Sequence, residues 1–322
     1  MFKRILLPVD GSPLAERALP LAARLAQVSG GTVILLRTVS WIDEALSPSP
    51  ADLTDLAEAE RYLSSLTLHH ELKYVKTEMV TQTGEVASTI LAVAHAHHAD
   101  VITLCSHGST GMTRWILGSV ALKVSKHSLL PVLVLREGES GASLLHLRSD
   151  RPLRALMALD GSPFAEAALA PTAQLLTALS IPPIQAELHL LRVVKLPSEV
   201  QLHTFHQRYG VDMHDLKRRE AEHYLRTTAE QLSSEITPQP GLHVKTFVIE
   251  GKDIAEALIQ VALSKDPTHR YDLLAITTHG RSGLQRWVLG SIAERVLAGT
   301  RLPLFIVRPP EGAVTAGPVR DT

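Results

Sequence analysis

The chain is written twice, and that constrains it more than any other feature. Ile5-Leu6-Leu7-Pro8-Val9-Asp10-Gly11-Ser12-Pro13-Leu14-Ala15-Glu16 returns as Ala155-Leu156-Met157-Ala158-Leu159-Asp160-Gly161-Ser162-Pro163-Phe164-Ala165-Glu166. Ser106-His107-Gly108-Ser109-Thr110-Gly111-Met112-Thr113-Arg114-Trp115-Ile116-Leu117-Gly118-Ser119 returns as Thr278-His279-Gly280-Arg281-Ser282-Gly283-Leu284-Gln285-Arg286-Trp287-Val288-Leu289-Gly290-Ser291. The offset grows from 150 at the aspartates to 172 at the His-Gly pairs, so the second copy carries 22 more residues between these points. Each copy is domain-sized, which makes this a tandem duplication and not a solenoid. A single core rarely grows beyond about 250–300 residues, so 322 residues fit two domains. The expected boundaries are 1–138 and 151–309. A Gly-, Ser- and charge-rich linker fills 139–150, and a Gly/Ala/Thr/Pro tail expected to be disordered fills 310–322.

Within each copy, short apolar runs alternate with helical stripes. Copy one predicts strands at Ile5–Val9, Val33–Leu36, Tyr74–Val80, Val101–Leu104 and Val132–Leu135. Its helices are expected near Pro13–Val28, Asp52–Leu68, Glu85–His98 and Ser119–His127. Copy two predicts strands near Leu153–Leu159, Glu187–Val194, Val244–Ile249, Leu273–Thr277 and Leu304–Val307. Four of the five strands per copy are almost wholly apolar, as strands covered on both faces must be. The third mixes polar and apolar residues and belongs at a sheet edge. Strict alternation of strands and helices predicts α/β architecture: two tandem, doubly wound, five-stranded parallel-sheet domains. Each copy also ends in an apolar strand, an aggregation hazard if left as an open edge. Antiparallel pairing of these last strands, packing the copies as an intramolecular pseudo-dimer, would remove both hazards. The alternative is two independent domains whose edges are blunted by the flanking prolines and by Arg136 and Arg308.

Several function classes drop out on composition. Lys+Arg 32 against Asp+Glu 33 leaves a net charge of -1, which lacks the basic excess of a nucleic-acid binder. Apolar residues at 45% and charged residues at 20% suit packed cores. One cysteine, Cys105, excludes an intrachain disulfide and a four-cysteine zinc site and fits a reducing compartment. The opening run Ile5–Val9 is too short for a signal peptide, and no segment approaches the ~20 apolar residues of a membrane span. The expectation is a cytoplasmic protein with no membrane or nucleic-acid partner.

Parallel open sheets bind ligands beyond the carboxyl ends of their strands, where strand order reverses. The first strand ends at Asp10, and Ser12 and Pro13 supply an N-cap and a first helical residue. Asp10 and its counterpart Asp160 read equally well as turn residues and as ligands. The fourth strand leads into Cys105-Ser106-His107-Gly108, then nine residues, then Gly118-Ser119 opening a helix; copy two has Thr277-Thr278-His279-Gly280, nine residues, and Gly290-Ser291. Glycines let backbone N–H groups approach an anion, and a helix N-terminus with a serine hydroxyl adds the positive dipole end. Neither a Walker A loop nor a dinucleotide G-x-G-x-x-G occurs at the expected place.

These residues carry a resemblance. Apart from linker and tail, the chain resembles a tandem universal stress protein, a family of adenine nucleotide alpha hydrolase-like fold. The nucleotide-binding members of that family share G-x2-G-x9-G-[ST] after the fourth strand and an aspartate ending the first. Gly108, Gly118 and Ser119 match, as do Gly280, Gly290, Ser291, Asp10 and Asp160. Both copies depart at the first glycine, replaced by Cys105 and Thr277. A left-handed backbone there would make the change costly, whereas a position lying against the ribose would tolerate a small side chain. The resemblance implies ATP, with Mg²⁺ on its phosphates. It implies that Pro8, Val9 and Thr38, and in copy two Ala158, Leu159 and Val193, flank the adenosine. Ser106, His107, Gly111, Arg114 and Val120 complete the expected loop contacts, matched by Thr278, His279, Gly283, Arg286 and Ile292. It further implies a two-fold pairing of copies, with a homodimer of whole chains as a further option.

No catalytic constellation accompanies these residues. His107 and His279 lack an orienting carboxylate and a nucleophile, and read as hydrogen-bond donors. Arg114 and Arg286 suit a triphosphate or a helix-surface ion pair; Trp115 and Trp287 suit packing. His95 and His98 are spaced to share a helix face, yet copy two has no such pair, so a solvated helix end is expected and not a metal site. The leading reading is a non-enzymatic, ATP-binding regulatory protein of the stress response. A nucleotide-independent interaction scaffold and a slow ATP hydrolase are the alternatives.

Overall fold

Apolar runs of four or five residues make stable strands where helices cover both sheet faces, and the chain builds its sheets from such runs. The structure is a computed structural model that describes residues 2–39, 50–106, 117–136, 144, 151–180, 185–196, 199–210, 212–235, 241–264, 266–278 and 290–309. It divides into unit 1, Met1–Arg148 with Pro303–Ile306, and unit 2, Ser149–Leu302 with Val307–Thr322.

Unit 1 contains strands β1 (Arg4–Pro8), β2 (Thr32–Val39), β3 (Lys76–Thr83), β4 (Val101–Cys105) and β5 (Val132–Leu135). They run parallel in the order β3-β2-β1-β4-β5. Helices α1 (Pro13–Glu16), α2 (Leu19–Ser29), α3 (Pro50–Thr67), α4 (Val86–Ala96) and α5 (Ser119–His127) connect them. Ile5, Leu6 and Leu7 of the central strand are completely buried, each contributing roughly 1.5–3 kcal/mol by transfer from water. Edge strand β3 has only exposed and half-buried positions, as its mixed composition predicts.

Unit 2 repeats the plan with β6 (Leu153–Ala158), β7 (Ala186–Lys195), β8 (Leu242–Gly251) and β9 (Leu273–Thr277), parallel in the order β9-β6-β7-β8. Its helices are α6 (Pro163–Glu166), α7 (Leu169–Leu179), α8 (Glu199–Tyr209), α9 (Met213–Glu235), α10 (Ile254–Ala262) and α11 (Ser291–Gly299). Helix α8 occupies part of the extra length of copy two. Strand β7 breaks the apolar rule by burying Glu187 and His189. The charge is matched there: Glu187 accepts from Arg154 Nε at 2.6 Å, Lys245 Nζ at 2.7 Å and His189 Nε2 at 3.1 Å.

The last strand, β10 (Leu304–Val307), pairs antiparallel with β5 in the register Leu304↔Val134, Phe305↔Leu133, Ile306↔Val132. This is the pairing expected of the two terminal strands, and it explains why Pro303–Ile306 falls with unit 1. Phe305 is fully buried and meets the Phe2 ring edge-on at 6.1 Å between centroids. Arg136, which the alternative of two independent domains would use to blunt an open edge, is buried at the end of β5.

The helix expected across Pro13–Val28 is two helices. Pro20 lies in the first turn of α2, and without an N–H it cannot bond back to Glu16. The chain tightens instead, with Arg17 N donating to Leu14 O and Ala18 N to Ala15 O, both at 3.2 Å, before restarting. Pro171 sits in the first turn of α7 and accompanies the same break in unit 2. Helix α4 ends at Ala96, so His95 and His98 do not share a helix face; His98 has φ 49. Strand β3 begins after Tyr74, which is exposed, because a 3-10 turn over His70–Leu72 draws Val75 N onto Leu72 O at 3.0 Å.

Candidate functional site

In unit 1 the chain steps outward from β1 to β2 and β3, then returns on the opposite side of β1 to β4 and β5. Strand order therefore reverses between β1 and β4, the place where doubly wound sheets open a crevice. At Pro8 the first strand has no hydrogen to offer β4. Val9 N donates to Leu36 O on β2 at 2.8 Å. Alternation then turns the nitrogen of Pro8 towards β4. The β1–β4 ladder lapses after Leu6↔Ile102. In unit 2 the β6–β9 ladder lapses after Met157↔Ala275, and Leu159 N donates to Leu191 O at 2.8 Å.

At the end of β1, Asp10 Oδ1 accepts from Ser12 N at 3.0 Å and from Ser12 Oγ at 2.6 Å. Ser12 Oγ in turn accepts from Ala15 N at 3.1 Å, so the serine caps α1 as its sequence predicts. Asp160 and Ser162 repeat this at 2.9 and 2.5 Å, with Ala165 N donating to Ser162 Oγ at 3.2 Å. Gly11 and Gly161 make the turn in the left-handed region, at φ 83 and φ 84. The turn role of both aspartates is thus real. It engages Oδ1 in both copies.

Across the crevice, Cys105 ends β4 and Thr277 ends β9. Among the described residues the non-glycine at positive φ is His98, so neither Cys105 nor Thr277 needs the freedom of the glycine it replaces. Cys105 Sγ lies 3.9 Å from Ala15 O. Ser106 is buried and donates its N–H to Leu135 O at 2.7 Å, and Gly118 N donates to Ser106 O at 2.7 Å. The loop thus leaves at Ser106 and returns beside it to start α5. Thr278 and Gly290 do the same in unit 2, at 3.1 Å to Val307 O and 2.9 Å to Thr278 O. His107, Gly108, Gly111 and Arg114, with His279, Gly280, Gly283 and Arg286, lie outside the described residues.

Both returning helices start on a glycine N-cap, Gly118 at φ -56, ψ 153 and Gly290 at φ -59, ψ 144, with no side-chain cap bond. Any L-residue adopts that conformation. A Cβ built on Gly290 would meet Thr278 O at 3.6 Å, an ordinary contact among the described residues. The glycine cap leaves the first-turn N–H groups, at the positive end of a helix, without a side-chain cap among the described residues. Helix α11 carries Glu294 in its first turn, whereas α5 has no acidic residue there. Burial lowers Arg136, next to the strand end that receives Ser106, to about 10, so it remains a cation at neutral pH.

Thr38 and Val193 lie on β2 and β7, one residue after Arg37 and Arg192. These arginines escaped the sequence reading, as did Tyr62 and Tyr224. Tyr62 donates to Glu16 Oε1 at 3.0 Å and Tyr224 to Glu166 Oε1 at 2.8 Å. The available signal was their recurrence in both copies, hidden because their spacing differs between copies. Ser119, Val120 and Ile292 lie in the first turns of α5 and α11, and Ser291 opens α11.

The family model described as "Universal stress protein family" matches residues 1–136 and 153–308. A universal stress protein of Bacillus subtilis is 28% identical over 148 residues, 42% of this chain and 100% of its own. One from Mycobacterium tuberculosis is 26% identical over 235 residues, covering 73% of this chain and 69% of its own. The crystal structure of a universal stress protein from Archaeoglobus fulgidus is similar in fold, with a TM-score of 0.65 at 20% identity over 95% of this chain and 98% of that one. With both copies matched by the same model, the chain belongs to the universal stress protein family.

Proposed function

We propose that the chain is an ATP-binding regulatory protein of the stress response that takes one adenine nucleotide in each unit. The phosphates lie against the N-termini of α5 and α11 at Gly118-Ser119 and Gly290-Ser291. The adenosine lies over the ends of β1 and β2, and of β6 and β7, beside Pro8, Val9 and Thr38 and beside Ala158, Leu159 and Val193. In this reading Asp10 and Asp160 accept from ribose hydroxyls, as carboxylates at strand ends do in nucleotide-binding sheets. The observation that carries this reading is the uncapped glycine at each helix start, at the switch point of each sheet, in a conformation that does not itself call for glycine.

Among the described residues no group of three or more His, Cys, Asp and Glu side chains could hold a metal. In this reading Mg²⁺ arrives on the triphosphate, its usual mode with nucleotides. In this reading the role is binding and not turnover. Among the described residues no helix is long and apolar enough to cross a membrane.

The rival reading, a scaffold that keeps the fold without nucleotide, draws on the turn role of the aspartates, which accounts for both without a ligand. Heating the purified protein and chromatographing the supernatant separates the two. Release of adenine nucleotide approaching two per chain is expected. A nucleotide-free protein that also fails to take up added ATP favours the scaffold.

A further inference from the structure

A second duplication lies beneath the first. In unit 1, Glu16 on α1, Arg37 on β2 and Tyr62 on α3 meet: the Arg37 guanidinium lies 6.0 Å from the Tyr62 ring centroid, and the Tyr62 hydroxyl donates to Glu16. In unit 2, Glu166 on α6, Arg192 on β7 and Tyr224 on α9 meet in the same way, the guanidinium 5.0 Å from the ring centroid. The offsets between counterparts are 150, 155 and 162, so insertions fall between the members and the three side chains still converge. Some neighbouring surface positions differ at the matching offsets, Arg17 against Ala167 and Arg61 against His223, while Glu58 and Glu60 return as Glu220 and Glu222.

The trio adjoins the strand-end aspartate. Arg37 Nη1 lies 3.5 Å from Val9 O, and a Cβ on Gly11 would lie 4.0 Å from Arg37 Nη2, so the guanidinium spans the residues on either side of Asp10. Burial pushes the Tyr62 hydroxyl well above its ordinary value, and the Glu16 and Asp10 carboxylates push it further. Tyr224 is raised in the same order by burial, Glu166 and Asp160. Both tyrosines therefore stay protonated donors at any physiological pH. A cation–π contact stabilises by about 0.5–1 kcal/mol when exposed and about 2 kcal/mol when desolvated, and each tyrosine adds a hydrogen bond to its glutamate.

We propose that each Arg–Tyr–Glu trio is a positioning device that fixes the turn bearing Asp10 or Asp160, and thereby sets the preference of each site for a ribonucleotide over its 2′-deoxy counterpart. This rests on the nucleotide reading above. The turn is held from within by Ser12, from α3 through Tyr62 and Glu16, and from β2 through Arg37. A turn braced in this way keeps the carboxylate it carries directed at one hydroxyl position. A looser one meets ribose and deoxyribose alike.

The test uses the full chain with Tyr62→Phe and Tyr224→Phe together, which removes two hydroxyls and no packing. ATP and 2′-deoxy-ATP are titrated separately by calorimetry, with melting as a control on the fold. The wild type is expected to favour ATP by about tenfold or more, since a site built around a hydroxyl rejects the analogue lacking it. The double variant should keep its affinity for 2′-deoxy-ATP while its preference falls to within about threefold. Glu16→Ala with Glu166→Ala should reproduce the loss, and Gln at the same two positions, which still offers an acceptor oxygen, should restore the preference. An unchanged preference in the Phe variant, or equal weakening of both nucleotides, overturns the proposal, the second outcome marking a merely structural role. A wild type that binds both nucleotides equally also overturns it while leaving the nucleotide reading intact. A wild type that binds neither overturns the nucleotide reading itself and this inference with it.

Discussion

Gly290→Ala separates what the fold needs from what a ligand needs. The N-cap sits at φ -59, ψ 144, and the added methyl would meet Thr278 O at 3.6 Å. Alanine fits that conformation without strain, and its gain of about 0.4–1 kcal/mol through the unfolded chain is set against the poorer capping of alanine relative to glycine, about 0.5–1 kcal/mol. The two nearly cancel, so for a domain of this size the Tm should stay within about 2–3 °C of the wild type. Nucleotide binding should weaken all the same. If phosphate oxygens rest on the first-turn N–H groups, a methyl at the cap occupies their approach, and losing one such charge-assisted contact costs about 1.5–3 kcal/mol, or about tenfold or more in Kd. Differential scanning calorimetry without nucleotide gives the first quantity. Titration with ATP in a Gly118→Val background, where unit 2 alone should bind, gives the second. A fall in Tm of several degrees would make Gly290 a structural glycine, and unchanged affinity would remove the phosphates from the start of α11.

Three further outcomes follow from particular residues. Glu294 lies in the first turn of α11 and has no counterpart in α5; at about 0.3–1 kcal/mol for a charge near a helix end, Glu294→Gln should tighten ATP at the second site by about two- to fivefold, and calorimetry showing no change would contradict this. Burial pushes the Glu187 carboxyl up, but bonds from Lys245, Arg154 and His189 outweigh it and hold the group at about 2, below its ordinary 4.5. A depressed carboxylate stabilises the fold above its unfolded value and ceases to as pH falls through its folded one, so thermal melts should lose stability between pH about 4.5 and about 2. Glu187→Gln should flatten that slope, and equal slopes in both proteins would refute the assignment. The fragment 1–138 lacks β10 and leaves Val132–Leu135 as an open edge; it should self-associate in light scattering, and a well-behaved monomer at high concentration would show the pairing to be dispensable.

The architecture was legible because it is encoded locally. Apolar runs set the buried strands, the polar admixture of Lys76–Thr83 set an edge, and Ser12-Pro13 set a helix start. The antiparallel partnership of Val132–Leu135 and Leu304–Val307 was legible from the hazard each strand would otherwise pose. What escaped depends on single backbone groups or on long-range meetings. One missing N–H at Pro20 divides a continuous helical stripe, and the left-handed His98 ends another early. Glu187 and His189 look misplaced in a buried strand until Arg154 and Lys245 arrive from its neighbours. The Arg37–Tyr62–Glu16 meeting joins three elements, and its echo in copy two was concealed by a drifting offset. For the site, both ends of each loop are placed by the fold, while Gly108 and Gly280 within the loops lie outside the described residues.

The central claim, one adenine nucleotide per unit, is tested most directly by calorimetric titration of the nucleotide-free full chain with MgATP. Two ATP per chain are expected, falling to one in Gly118→Val and to none when Gly290→Val is added, with each variant still folded by circular dichroism. No heat of binding in the wild-type chain, or a stoichiometry that both substitutions leave unchanged, would contradict the account.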